Sequence, residues 1–220
     1  MDVTRVVSLS TSSSEVSLPR EVFASLEKSH FDSLAASEKG VAYGRTTGVG
    51  ANRNDAADNA DGGHGMRLIR SHAAGSGRQY PVDVARAGMV VRAHQLSRPG
   101  SGIRPTVVGS LVDALRAGLT SPFREFGGVG TGDITVLGEL AACLTGEQPW
   151  SDGVVQRFAE PFDASDALSF MSSSAPTLGL AAHSLERLAT VIKSSWVVAT
   201  LSSVPDRKST RLNSSHITIS

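Results

Sequence analysis

The chain has 220 residues, of which 40% are hydrophobic and 19% charged, with 21 basic and 21 acidic side chains. That length holds one substantial domain or a piece of a larger one, and that composition builds a packed core rather than a disordered chain. Zero net charge leaves no basic excess for nucleic acid, no apolar run reaches the ~20 residues that span a bilayer, and Cys143 is the single cysteine, so nucleic-acid, membrane, disulfide and cysteine-metal roles are not expected. The expected compartment is the cytoplasm.

Residues 1–17 are rich in Ser, Thr and Val and lack the basic start and apolar stretch of a signal peptide, which predicts a strand or loose arm. From Pro19 to Ser37, Val22, Phe23, Leu26, Phe31 and Leu34 fall at helical spacing, with proline suited to the first turn. Residues 43–65 are dominated by Gly, Asn and Asp and read as a loop too long to be idle in a compact domain. A helix opens at Pro81 and stops before Arg98-Pro99-Gly100; a second runs from Pro105 to Gly118; a third, capped by Asp133, ends at Gly146. A long helix is predicted over 175–203, with Leu178, Leu185, Leu188, Ile192 and Trp196 on one stripe that needs partners. The last fifteen residues, DRKSTRLNSSHITIS, break this pattern. They resemble a translated sequencing-adapter oligonucleotide, and residues 206–220 are expected to be disordered and foreign to the fold.

The stretch FGGVGTGD, residues 126–133, places four glycines and Thr131 before an apolar run. It contains no GxxxxGK[ST] motif, and GxGxxG fails because Asp133 stands where the third glycine belongs, so no nucleotide is expected. His64 and His72 are eight apart with no further ligand at metal spacing, so no metal is expected.

Three segments in order, AYGRTTGVGANR, LIRSHAAGSG and FGGVGTGDITVLGELA, together with the turn Ser101-Gly102-Ile103-Arg104-Pro105, resemble the histidine and aromatic amino acid ammonia-lyase family. The resemblance covers about residues 18–203. It implies a mainly α, helical-bundle fold with a small irregular or β portion. An N-terminal active-site domain is expected over 18–146, and the start of a central bundle over 147–205. It further implies elimination of ammonia from L-histidine, giving urocanate, or from a related aromatic amino acid, in a homotetramer.

Elimination requires loss of a weakly acidic β proton and departure of a poor leaving group, hence an electrophile and a base. By resemblance, Tyr43 is the base, on a loop whose Gly44, Gly48 and Gly50 let it close over a ligand. Ser71 and His72 occupy the pair that reads the substrate ring, and a hydrogen-bonding pair suits imidazole. The family's electrophile is a methylidene-imidazolone made by cyclising and dehydrating Ala-Ser-Gly, which falls here on Gly130-Thr131-Gly132, followed by the retained Asp133. Threonine in place of serine adds a methyl to the reactive carbon. A second departure lies at residues 169–175, where the family's Leu-Asn-Gly-Thr-Gln has no asparagine counterpart and Ser174 is the candidate replacement. Family residues from later segments and other subunits lie beyond this chain, so the 220-residue polypeptide alone is expected to be inactive. Two alternatives stay open: an aminomutase or a tyrosine or phenylalanine ammonia-lyase, and a non-catalytic helical scaffold.

Overall fold

The computed structural model describes the backbone of residues 1–12 and 16–213, and side chains as far as 203. Two compact units divide the chain, 1–182 and 183–220.

The first unit is a helical assembly around α4, Val82–Leu96, which buries nearly its whole circumference. Proline before its first turn and Asp83 within it favour the start. On α4 pack α1, Val3–Thr11, and α5, Pro105–Arg116. A second layer is formed by α3, His64–His72, α6, Ile134–Leu144, and α7, Ala167–Met171. The remaining helix of this half, α2, Arg20–Ser37, lies against α5 and buries Leu26. The shared core includes Ile69, Met89, Leu111, Phe123, Leu137, Leu140, Trp150 and Phe170. Strands β1, Ser76–Gln79, and β2, Arg124–Phe126, pair antiparallel, with Ser76 opposite Phe126. This is the small β portion expected from the sequence.

The amino-terminal segment departs from the expected strand or arm. Asp2 accepts the Arg5 N–H at 2.8 Å and caps α1, which buries Val6 and Leu9. Ser, Thr and Val are poor helix formers, and burial of Val6 against Ala87 and Val91 of α4 overrides that preference. The glycine-rich loop also ends earlier than expected, at Gly63, where α3 begins with His64, Met66, Leu68 and Ile69 all buried.

Two close approaches set the layer spacing. A Cβ on Gly179 would stand 2.4 Å from the Gly88 nitrogen, so the backbones of α4 and the first turns of α8, Ala175–Asn213, cross with no side chain between them. At Arg104, the backbone N–H donates to Asp166 Oδ1 at 2.9 Å and the guanidinium pairs with the same fully buried carboxylate. That pair ties the start of α5 to the turn before α7.

The second unit is the continuation of α8, with Leu185, Leu188, Ile192 and Trp196 exposed. Its backbone stays helical to Asn213, past the expected end near Ser203 and into the segment expected to be disordered. Once a helix is nucleated, each further residue adds a hydrogen bond at little extra ordering cost. Residues 214–220 lie outside the described part. No described helix is long and apolar enough to cross a membrane.

Candidate functional site

Tyr43 sits in the loop after α2, about half exposed, and its hydroxyl oxygen accepts the Gly50 N–H at 2.9 Å. Its neighbour Gly44 has φ of 71°, and a Cβ there would lie 2.4 Å from Leu168 Cδ2, so only glycine fits. Arg45 and His64 pin this loop. Arg45 donates to the Ser33 carbonyl and hydroxyl, both at 3.0 Å, and to the Ser37 hydroxyl. His64 Nε2–H donates to the Gly44 carbonyl at 3.2 Å, which gives this buried histidine a structural role. Gly48 is pressed against Asn52, and Gly50 takes φ of 60° at the start of a single 3-10 turn. The ring of Tyr43 borders a cleft of about 530 Å³ together with Arg45, Ser101, Leu168, Ser169 and Ser172.

Ser71 and His72 close α3. Both turn onto their own helix: Ser71 Oγ donates to the Leu68 carbonyl at 2.8 Å, and His72 Nδ1 meets the same oxygen at 2.8 Å. A carbonyl only accepts, so the neutral ring carries its proton on Nδ1 and presents Nε2 as an acceptor. Nε2 has no partner among the described residues.

The glycine loop is fixed at both ends, and residues 128–132 between them make no hydrogen bond among the described residues. At its start, Thr135 Oγ1 donates to the Gly127 carbonyl at 2.9 Å. At its end, the Asp133 N–H donates to the Ser173 carbonyl at 2.8 Å. Gly130 and Gly132 have φ of 90° and 125°, open to glycine and strained for other residues. Thr131 lies exposed between them, and neither the Gly130 carbonyl nor the Gly132 N–H makes a hydrogen bond among the described residues. A smaller cavity of about 270 Å³ flanks the loop, lined by Tyr80, Phe126, Gly127, Asp133 and Thr177.

Asp133 corrects the sequence reading. It occupies the residue before α6, and its carbonyl accepts the Leu137 N–H, but its carboxylate makes no bond to α6. Instead it accepts the Thr177 N–H and the Thr177 hydroxyl, each at 2.8 Å, and so caps α8 from outside. Thr177 is the third residue of α8, where an N–H lacks an intrahelical acceptor, and the carboxylate meets the positive end of the helix dipole.

The turn at 172–174 shows a similar exchange of roles. Ser174 is exposed, and it takes part through its backbone, the carbonyl accepting the Leu178 N–H. Ser173 makes the inward contacts: its hydroxyl donates to Gln95 Oε1 at 2.6 Å and accepts the Ala175 N–H at 3.0 Å. Gln95 Oε1 also accepts from Arg92 at 2.9 Å, which fixes the amide orientation because guanidinium only donates. Arg92 is deeply buried, donates to the Phe170 and Ser169 carbonyls, and burial lowers its pKa to about 10. The sequence reading missed Arg92, Gln95 and Ser173 as a network, since their contacts span up to 78 residues and leave no local pattern.

Helix α6 gathers the parts. Gly138 lets it approach the His72–Ala73 backbone, where a Cβ would stand only 3.1 Å from the Ala73 nitrogen. At the next residue, Glu139 Oε1 accepts the Gly75 N–H at 3.0 Å and lies 3.7 Å from Arg124 Nε, while Oε2 has no hydrogen-bond partner among the described residues. Burial raises the Glu139 pKa, partly opposed by Arg124 and the Gly75 N–H. Thus α6 joins the Ser71–His72 end of α3 to the glycine loop, and the loop to the 173–177 turn. Tyr43 stands apart, in the cleft that Leu168, Ser169 and Ser172 line, and none of these four residues borders the cavity beside the glycine loop.

A family model described as aromatic amino acid lyase matches residues 1–205. Histidine ammonia-lyase of Streptomyces coelicolor is 30% identical over 212 residues, an alignment that covers 89% of this chain and 41% of that protein. The MIO-dependent tyrosine 2,3-aminomutase of Streptomyces globisporus is 32% identical over 158 residues, covering 70% of this chain and 28% of the relative. In architecture, the phenylalanine aminomutase of Pantoea agglomerans superposes with a TM-score of 0.83 at 20% identity, over 92% of this chain and 42% of its own, which speaks to the fold alone. The chain therefore spans well under half the length of these relatives.

Proposed function

Because the chain belongs to the aromatic amino acid lyase family, we propose that this sequence, within a chain of its relatives' length, eliminates ammonia from L-histidine to give urocanate. The observation that supports this best is the convergence on α6 of the Ser71–His72 helix end, the glycine loop and the 173–177 turn. Those are the segments to which the resemblance assigns ring recognition and the electrophile.

His72 receives the imidazole. Its Nε2 is an acceptor suited to a substrate ring N–H, and leaving that contact unmade in a closed site costs ~1–3 kcal/mol, which selects against carbocyclic rings. Tyr43 removes the β proton. Its loop turns on glycines between the Arg45 anchor and α3, and rotation about those glycines is the movement that carries the hydroxyl toward the substrate.

Gly130, Thr131 and Gly132 are the residues from which the family's chain-derived electrophile would be made. They fit that role, because the two groups that must join are free of hydrogen bonds among the described residues and the flanking φ values are those that glycine tolerates. Once formed, such a group supplies an electron-poor carbon that engages the substrate and helps the amine depart. Asp133 holds the carboxyl end of the loop by its bonds to Ser173 and Thr177.

The working form is a cytoplasmic homotetramer in which other subunits complete the site, so the 220-residue chain by itself turns over no histidine. A second reading, an aminomutase, is favoured by the 32% identity to a tyrosine aminomutase, no lower than that to the histidine enzyme. Assay of a relatives'-length chain with histidine, tyrosine and phenylalanine separates them. Urocanate formation abolished by Tyr43→Phe is the expected outcome. A β-amino acid product establishes the aminomutase, and no turnover of any of the three supports a non-catalytic scaffold.

A further inference from the structure

We propose that Thr131 is a site of backbone modification and that the group formed there is an ethylidene-imidazolone, one methyl larger than the product of a serine. The inference rests on the lyase reading above, and it adds the identity of the reactive group in this chain.

The loop is built for ring closure between Gly130 and Gly132. Thr135 and Asp133 hold its two ends through the Gly127 carbonyl and the Ser173 carbonyl, while the residues between make no competing bonds among the described residues. Gly132 is the residue that has to be small: a Cβ there would meet the Ser173 carbonyl oxygen at 3.3 Å. Around Gly130 the space is open, with no atom within 4 Å of where a Cβ would stand. Thr131 itself is accessible from solvent, so its extra methyl has room.

The chemistry balances without any co-reactant. The Gly132 nitrogen bonds to the Gly130 carbonyl carbon, and the Gly130 oxygen leaves as water with the protons of the Gly132 and Thr131 amides, placing a C=N bond between Gly130 and Thr131. A second water then leaves with the Thr131 hydroxyl and its Cα proton, forming a Cα=Cβ bond. That Cβ keeps the threonine methyl, which donates electron density and shields one approach. Nucleophiles therefore add to it more slowly than to an unsubstituted methylidene carbon.

Intact-mass measurement of the purified 220-residue chain tests this, with peptide mapping over residues 124–140. Expected is a loss equal to two water molecules, confined to the peptide holding Thr131 and absent in Thr131→Val. Thr131→Ser, which keeps the hydroxyl without the methyl, should show the same loss and react with borohydride at least several-fold faster than the unaltered chain. An unmodified Thr131 beside a dehydrated Thr131→Ser variant overturns the proposal and leaves the lyase reading standing. No dehydration in either 220-residue chain overturns the proposal, and the same result in a chain of the relatives' length overturns the lyase reading as well. Equal borohydride rates refute the claim that the methyl governs reactivity.

Discussion

Replacing Asp133 by alanine isolates the contact that joins the glycine loop to α8. The carboxylate accepts two hydrogen bonds from Thr177, at 2.8 Å each, one from an N–H in the first turn of the helix. Loss of such a cap costs ~1 kcal/mol, and loss of the negative charge at a helix start adds ~0.5 kcal/mol. Water reaches the exposed Thr177 and replaces part of this, so the net destabilisation expected is about 1–1.5 kcal/mol. Asp133→Asn keeps an acceptor and gives up the charge, and should cost roughly half as much. Thr177→Val removes the hydroxyl bond alone, so a double-mutant cycle with Asp133→Ala should return a coupling of about 0.5–1 kcal/mol. Urea unfolding followed by circular dichroism gives the energies. Hydrogen exchange of peptides covering 127–137 and 173–180 gives the location, and both should exchange faster in Asp133→Ala while α5 does not. A stability change under ~0.3 kcal/mol, or unchanged exchange in the loop, would refute the assignment of Asp133 as the clamp.

The other expectations concern the surrounding frame. Glu139→Gln should stabilise the chain at neutral pH, because burial raises the carboxyl pKa and the amide still accepts from Gly75. A raised carboxyl pKa means the folded state binds more protons than the unfolded one above the ordinary value of 4.5, so the penalty grows as pH rises through that window; the advantage of Gln should vanish in thermal melts below it. Arg104→Met leaves Asp166 buried with only N–H donors and should cost about 3 kcal/mol in urea unfolding, most of it recovered by adding Asp166→Leu. Gln95→Leu removes the acceptor shared by Arg92 and Ser173, and exchange should rise at 169–178 as the turn loosens, with a cost of ~1–2 kcal/mol. Cys143 should resist thiol reagents in the native chain, since burial pushes its pKa up to about 12.

Much of the helical layout was legible because it is written locally. Pro105 at the first position of α5, the Val108, Leu111, Leu115 repeat and Gly118 after it mark a helix whatever surrounds it. The same holds for Pro81 before α4. By contrast α1 carries residues that disfavour helix, and α3 is short and set among glycines, so neither announces itself; each forms because a partner buries Val6 or Ile69. The site divides likewise. The order of the glycine-rich, Ser-His and Gly-Thr-Gly segments is visible in the chain. Which side chain holds which loop is not, because Asp133 meets Thr177 across 44 residues and Gln95 meets Ser173 across 78.

By itself the sequence determined the family, the mainly helical class, and the identity of Thr131 where a serine was to be expected. These are properties of residue type, spacing and order, which need no knowledge of distant neighbours. The tertiary structure decided the direction of the Asp133 carboxylate, the use of His64 to hold Gly44, and the choice of Ser173 rather than Ser174 beside the loop. Each of those is a selection among several local donors or acceptors of similar worth. Only the packing of α4, α6 and α8 fixes which of them comes within reach.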